Sequence, residues 1–175
     1  MLDAELVRTV ARITAIEASA TGMDWTFSPC VAVPQDERWG RTYEGFSENS
    51  ELVTELGKAA VEGYQGSSLS DDTSILACAK HFAVHSGPDN LRHTFDAVVS
   101  EKDLRETYLP AFEAAVKAGV EIVMGAYNRL KGVPCCANKR LLDTILRKEW
   151  GFKGHVVSDC MAISDIWKNH KFTQT

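Results

Sequence analysis

The sequence predicts an α/β fold in which helices cover a parallel β-sheet. Apolar segments of strand length alternate with segments whose apolar residues recur at helical spacing, along a chain of 175 residues. Several strand segments are nearly continuously apolar, which is typical of strands buried on both faces. The composition, 45% hydrophobic and 25% charged, is that of a globular protein with a substantial core.

Four segments predict strands because they are short, apolar and rich in β-branched residues. Each is separated from the next by a polar linker or by a helical segment, so the strands are expected to run parallel. The predicted strands are 23–33 (MDWTFSPCVAV), 75–84 (ILACAKHFAV), 120–127 (VEIVMGAY) and 155–159 (HVVSD).

Four further segments predict helices. Residues 3–20 have helical apolar spacing, and residues 47–66 predict a helix capped by Ser47 or Ser50. Ser100 and Asp103 form a capping pair before a helix that approaches Gly119 and bends near Pro110. Asn138 predicts the cap of a helix that ends before Gly151.

Composition and cysteine content argue against several function classes. The formal net charge of −5 gives no basic surface for nucleic acid, and no apolar run approaches the roughly 18 residues that span a bilayer. The first residues lack the layout of a signal peptide. The five cysteines contain no C-x-x-C pair, so we expect buried free thiols rather than a zinc site or a disulfide scaffold.

Polar groups follow the predicted strands. Arg41 lies in the segment after the first strand, Lys80 and His81 near the end of the second, Tyr127 at the end of the third and Asp159 at the end of the fourth. Because the carboxyl ends of parallel strands meet at one edge of a sheet, these groups are expected to converge there.

Four ordered blocks of sequence resemble glycoside hydrolase family 3, the β-glucosidase and β-xylosidase family. They cover nearly the whole chain and keep the family's order and spacing. The blocks are DERWGRTYEGFSE, ACAKHF, VMGAYNRLKGVPCCANKRLL and ILRKEWGFKGHVVSD. The resemblance implies that the α/β fold is an incomplete (β/α)₈ barrel of the TIM type, lacking its first strand or strands and its end.

The resemblance implies that Asp159 is the catalytic nucleophile. In a retaining glycosidase one carboxylate attacks the anomeric carbon while an acid about 5–5.5 Å away protonates the departing oxygen. The alternative is that Asp159 caps a helix beginning near Ala162, since Asp is a favoured N-cap residue.

The resemblance also implies that Arg41, Lys80 and His81 bind sugar hydroxyls and that Tyr127 lies beside the nucleophile. Each has a structural alternative. Arg41 could instead pair with Glu44, with Arg38 as its rival for the sugar. Lys80 and His81 could be a surface lysine and a core histidine, and Tyr127 a buried aromatic residue without a role in catalysis.

The loop after the second strand carries Asp89, Arg92 and His93, which either line the aglycone side or form a solvated loop. His85 is interpreted as structural. The N-acetylglucosaminidase branch of the family uses an Asp-x-His dyad here, and His93 has the matching spacing. Leu91 stands in place of the dyad aspartate, so that branch is rejected.

The sequence therefore predicts a single partial barrel domain over residues 1–175, truncated at both ends. Its parent would hydrolyse terminal non-reducing β-D-glucosyl residues, with an acid/base glutamate outside this chain. The alternatives are a β-xylosidase, an inactive sugar-binding fragment, or a parallel α/β domain with another role.

The expected partners are a β-linked oligosaccharide or glycoside substrate and the missing barrel strands and C-terminal domain of the parent enzyme. No metal, cofactor, nucleic acid or membrane is expected. The compartment is not predicted, although family members are often periplasmic or secreted.

Overall fold

The computed structural model describes residues 3–87 and 93–174. Helices separate the three strands of the main sheet, β1, β3 and β6, along these two ranges. The α-helices are α1 Ala4–Ala20, α2 Ser50–Gln65, α3 Glu101–Asp103, α4 Pro110–Lys117 and α5 Ala162–Lys168, with π-helices at Leu104–Tyr108 and Arg140–Glu149. The strands are β1 Cys78–Phe82, β2 Asp96–Ala97, β3 Ile122–Gly125, β4 Arg129–Leu130, β5 Val133–Pro134 and β6 His155–Ser158.

The main sheet has three parallel strands in the order β1-β3-β6. Every residue of the central strand β3 is buried, as its continuous apolar sequence predicts. Gly125 of β3 pairs with Ser158 of β6, so these two strands end at the same level. Strands β2, β4 and β5 form a second small sheet in which β4 and β5 make a hairpin.

The first predicted strand is an extended segment rather than a regular strand. It follows β1 in parallel through two isolated bridges, Trp25 to Leu76 and Cys30 to Lys80. Pro29 lies within the segment and has no N–H to donate, although its carbonyl accepts from the Lys80 N–H at 3.1 Å. The predicted neighbour of β1 is therefore present, but its ladder is interrupted.

Helix α2 packs against α1 at close range. A Cβ atom at Gly63 would lie 2.4 Å from the Arg8 carbonyl oxygen and 2.6 Å from the Ala11 Cβ, so only glycine allows this approach. The N-cap of α2 is Asn49, whose side chain accepts from the Leu52 N–H at 2.9 Å. The predicted caps Ser47 and Ser50 were wrong, because Asn49 occupies the extended position directly before the first turn.

The predicted helix after Ser100 forms in three consecutive parts. Ser100 caps α3 by accepting from the Asp103 N–H at 3.0 Å. A π-helix follows, and the α-helix resumes as α4 with Pro110 in its first turn, where a proline N–H is not required. The helix type therefore changes just before Pro110, where the sequence predicts a bend.

One main hydrophobic core lies between β1 and β3 and the helices that follow them. Phe82 packs edge-on against Phe112 with ring centroids 5.0 Å apart, and both side chains are buried. All five cysteines are free; Cys30, Cys78 and Cys135 are buried, Cys136 is half-buried and Cys160 is exposed. Among the described residues, no helix combines the length and apolarity that crossing a membrane requires.

Candidate functional site

The carboxyl ends of the three parallel strands bring the sequence-predicted residues together. Lys80 and His81 lie within β1, Tyr127 follows β3 by two residues, and Asp159 follows β6 directly. The register that pairs Gly125 with Ser158 places Tyr127 and Asp159 beyond the same edge of the sheet.

Asp159 and His81 are in direct contact. The His81 Nε2 atom lies 3.6 Å from the Asp159 Oδ2 atom, and the two side chains are only 1% and 14% exposed. The structure therefore places a carboxylate beside an imidazole in a largely buried position.

The backbone of Asp159 is part of the sheet edge. Its N–H donates to the Gly125 carbonyl at 3.1 Å, and its Oδ1 accepts from the Cys160 N–H at 2.7 Å. Helix α5 begins at Ala162, as predicted, but its N-cap residue is Met161 and no side chain caps it. The alternative that Asp159 serves as the helix cap is therefore wrong.

The Asp159 carboxylate also interacts with the Tyr127 phenol. Burial, the charge of Asp159 and a hydrogen bond with Asp159 together raise the pKa of Tyr127. A phenol that stays protonated can donate to a neighbouring carboxylate, so Tyr127 can orient Asp159.

Glu44 joins the two cationic side chains of the site. Arg41 donates to it through Nε at 2.6 Å and Nη2 at 2.8 Å, and the Lys80 Nζ lies 3.3 Å from its Oε2. The structural alternative for Arg41, a pair with Glu44, is thus present. Arg38 pairs instead with Asp36 and is 74% exposed.

Glu44 was named from the sequence only as a possible partner of Arg41, and its contact with Lys80 was not anticipated. Its spacing of three residues from Arg41 was the available signal. The Arg41 hydrogen bond lowers the pKa of Glu44, and the Glu44 hydrogen bond raises the pKa of Arg41, to which the Asp159 charge also contributes. Arg41, Glu44, Lys80 and Asp159 therefore belong to one electrostatic network.

His85 is buried behind His81, in agreement with its structural interpretation. Its ring centroid lies 4.6 Å from that of His81, and its Nδ1 lies 3.3 Å from the Asn128 Oδ1. One potential ligand atom each from His81, His85 and Asp159 lies within 4.8 Å of the others, so this triad has the composition of a small metal site.

Of the three loop residues predicted near the site, the structure describes only His93. Asp89 and Arg92 lie outside the described residues. His93 stacks on Tyr127, and its Nδ1 lies 3.4 Å from Asp165 Oδ2. Leu91 replaces the dyad aspartate in the sequence, and Asp165 of α5 is the carboxylate that lies beside the His93 ring in the structure.

The end of β3 is closely surrounded. A Cβ atom at Gly125 would lie 2.9 Å from the Cys136 Sγ, while the Gly125 carbonyl accepts from Asp159. Burial raises the pKa of the Cys136 thiol to about 11. The neutral Cys136 thiol therefore packs against Gly125, whose carbonyl holds the backbone N–H of Asp159 at the end of β6.

The fold and the site together define a parallel α/β domain whose polar groups gather at the carboxyl ends of its strands. Within that class, the chain belongs to glycosyl hydrolase family 3: the model of the family's N terminal domain matches residues 1–175. The predicted family is thus confirmed.

Curated relatives bear two kinds of name. A xylan 1,4-beta-xylosidase of Xylanibacter ruminicola is 50% identical over 149 residues, which are 84% of this chain and 17% of that protein. A periplasmic beta-glucosidase of Salmonella typhimurium is 40% identical over 168 residues, which are 96% of this chain and 22% of that protein. The chain spans about a fifth of the length of these relatives.

Solved structures share the fold closely. A beta-glucosidase from Listeria innocua is 38% identical and superposes with a TM-score of 0.94, over 99% of this chain and 24% of that one. The same enzyme in complex with glucose gives the same values. The predicted fold class, an incomplete (β/α)₈ barrel with parallel strands, is confirmed, and the described part of the main sheet, β1-β3-β6, is open.

Proposed function

We propose that the chain is the sugar-binding and nucleophile-bearing part of a retaining β-glycosidase that removes terminal non-reducing β-D-glucosyl residues. The observation that carries this proposal is the 3.6 Å contact of Asp159 with His81 at the strand ends, beside Tyr127 and the cationic pair Arg41 and Lys80. The family and the names of the relatives support it.

In the proposed reaction, Asp159 attacks the anomeric carbon as the bond to the aglycone oxygen breaks. An acid, proposed to be a glutamate outside this chain, protonates that oxygen, and the sugar is left esterified to Asp159. The same group then removes a proton from water, which attacks the anomeric carbon and releases Asp159. The configuration at that carbon is retained, and two carboxyl groups suffice without a metal.

Arg41, Lys80 and His81 are proposed to bind the hydroxyls of the terminal sugar. Charged and imidazole donors at the rim of a largely buried site suit vicinal hydroxyls, which accept and donate hydrogen bonds. Glu44 is proposed to hold Arg41 and Lys80 in place, since it contacts both. Asp89 and Arg92, whose surroundings the structure does not describe, are proposed to line the aglycone side.

We also propose that residues 1–175 form one part of a single barrel domain that other segments of the parent protein complete. The short span relative to the relatives supports this, as does the partial exposure of β6. On this proposal, turnover requires the complete gene product, because the acid/base glutamate lies outside the chain.

Trapping the glycosyl-enzyme tests the proposed function. The complete gene product is incubated with a 2-deoxy-2-fluoro-β-glucoside that carries a dinitrophenyl aglycone, and intact mass followed by peptide mapping locates the label. We expect one sugar per protein on the peptide containing Asp159. The Asp159→Asn variant should take no label, while Asp143→Asn, which changes a carboxylate on the helix Arg140–Glu149, should label like the wild type.

Label on another carboxylate would refute the assignment of Asp159. An active wild type that never forms an adduct would refute the double-displacement mechanism, and a protein that neither labels nor turns over would favour the inactive sugar-binding alternative.

A β-xylosidase is the second candidate, favoured by the 50% identity with a xylan 1,4-beta-xylosidase. The two sugars differ in the hydroxymethyl group of glucose. Comparing kcat/KM for nitrophenyl glucoside and nitrophenyl xyloside on the complete gene product distinguishes them, because kcat/KM measures differential transition-state binding. A higher value for the xyloside would replace glucose as the proposed sugar without changing the mechanism.

A further inference from the structure

Tyr127 is contacted from its ring face by His93. The two rings are stacked, with centroids 4.0 Å apart and an interplanar angle of 24°. Tyr127 is 9% exposed, so little of its ring faces water. A stacked neighbour restricts the orientation of the phenol ring plane. Because a phenol O–H bond lies close to that plane, the stack also restricts the directions in which the hydroxyl can donate.

The His93 ring is in turn held by Asp165. The His93 Nδ1 donates to Asp165 Oδ2 at 3.4 Å, and Asp165 is 5% exposed. The other oxygen of Asp165 accepts from the Asn169 Nδ2 at 2.6 Å. Because both oxygens of this buried carboxylate have donors, its direction is fixed relative to α5.

A second contact connects the end of α5 to Tyr127. The His170 Nε2 donates to the Tyr127 carbonyl oxygen at 2.8 Å, and His170 is 6% exposed. Tyr127 is therefore held at its ring by His93 and at its backbone by His170. We call His93, Asp165 and His170 the Tyr127 clamp.

We propose that His93 is a positioning residue that acts through Tyr127 on the Asp159 carboxylate, with Asp165 fixing the orientation of the imidazole. This inference rests on the proposed function, in which Asp159 is the nucleophile. The clamp joins Tyr127, two residues after β3, to helix α5, which follows β6. It therefore fixes the phenol relative to Asp159, the first residue after β6.

The proposal specifies how catalysis should respond. If His93 works by aiming the Tyr127 hydroxyl, its removal matters only while that hydroxyl is present. Misplacement of a catalytic group by about 1 Å can reduce a rate on the order of 100-fold. We therefore expect His93→Ala to lower kcat/KM about 10- to 100-fold.

A double-mutant cycle tests this coupling. The complete gene product is measured as wild type, His93→Ala, Tyr127→Phe and the double variant, using nitrophenyl glucoside and xyloside. We expect His93→Ala to cost less than about 3-fold in the Tyr127→Phe background, against about 10- to 100-fold in the wild type. Equal losses in both backgrounds would overturn the proposal, as would an unchanged kcat/KM for His93→Ala.

Two variants separate the stacking contact from the hydrogen bond. His93→Phe keeps an aromatic ring but loses the bond to Asp165, and Asp165→Asn removes the carboxylate that orients the imidazole. We expect both to lose activity to a lesser degree than His93→Ala. His155→Ala is the matched control, because this exposed histidine lies at the opposite end of β6 from Asp159 and should retain full activity.

The aglycone distinguishes positioning from proton donation. A dinitrophenyl leaving group needs little protonation, whereas a methyl glycoside needs full protonation. A positioning residue gives similar losses of kcat/KM with both substrates. A loss confined to the methyl glycoside would make His93 the proton donor and overturn the inference.

Wild-type turnover distinguishes failure of the inference from failure of the function. A complete wild-type protein that hydrolyses neither glucoside nor xyloside removes the proposed function and the inference with it. An active wild type whose cycle is additive overturns the inference alone.

Discussion

Strands β3 and β6 pair residue for residue, yet their surroundings differ. All four residues of β3 are buried, whereas His155 of β6 is exposed and its other three residues are only partly covered. The helix after β6 and the turn beyond it expose large apolar side chains: Met161 62%, Ile163 57%, Trp167 42% and Phe172 47%. Parallel strands need cover on both faces, and the elements in the described ranges cover β3 completely but β6 only in part.

Matched phenylalanines at these two places should give the largest difference in stability. Phe112 is 1% exposed and packs against Phe82, whereas Phe172 is 47% exposed. In the 175-residue chain, Phe112→Ala should reduce the free energy of unfolding by about 3–5 kcal/mol, because it leaves a cavity in the core. Phe172→Ala should change it by about 0.5 kcal/mol or less, measured by urea unfolding.

The same pair tests the proposal of a larger barrel. In the complete gene product, Phe172→Ala should become more costly than in the isolated chain if further segments cover α5. An equal, small cost in both forms would contradict that proposal.

Valines of the two paired strands should show a smaller contrast. Val123 of β3 is fully buried, and its register partner Val156 of β6 is partly buried. Val123→Ala should reduce the free energy of unfolding by about 1.5–3 kcal/mol, because it removes two methyl groups from a closely packed core. Val156→Ala should reduce it by about half as much. Urea unfolding with unchanged slope would measure both, and equal costs would mean that the two faces of β6 are covered after all.

The smallest expected effect is the loss in acid of the stability that Glu44 contributes on the β1 side of the site. The pKa of Glu44 is lowered in the folded chain, mainly by its hydrogen bond with Arg41, so its contribution to stability is present above the unfolded value of about 4.3 and is lost as pH falls through the folded value. At pH 7, Glu44→Gln should cost about 1 kcal/mol, and wild type and variant should converge in acid.

Glu48→Gln is the control for this comparison, because Glu48 is an exposed glutamate on the same stretch of chain. Its substitution should change stability by about 0.5 kcal/mol or less at any pH. A cost for Glu44→Gln that stays constant down to low pH would contradict the electrostatic explanation.

The strands of the main sheet were predictable because their apolar runs are continuous and bounded by polar segments. The segment 23–33 has the same pattern but forms only isolated bridges. Pro29 has no N–H to donate to a ladder, and an apolar pattern does not take account of this missing donor. The two predicted caps of α2, Ser47 and Ser50, lie two positions and one position from the actual cap, because Ser47, Asn49 and Ser50 are all favoured caps and only the backbone geometry selects Asn49.

The site was predictable as a set of strand ends but not as a network. Parallel topology is enough to bring His81, Tyr127 and Asp159 to one edge. The partner of His93, in contrast, is Asp165, which lies 72 positions away on a helix whose rotation no sequence pattern fixes. Contacts of this kind depend on packing between elements, which a single sequence does not encode in any local signal.

The missing side chain at position 125 has a consequence for how this protein can change over evolutionary time. The Gly125 carbonyl accepts a hydrogen bond from the Asp159 N–H, and its Cα faces the Cys136 sulfur. Even a methyl side chain at position 125 therefore has no room unless that sulfur moves. Substitution at this position is therefore coupled to position 136: a bulkier residue requires that the Cys136 sulfur turn away or that a smaller residue take the place of Cys136.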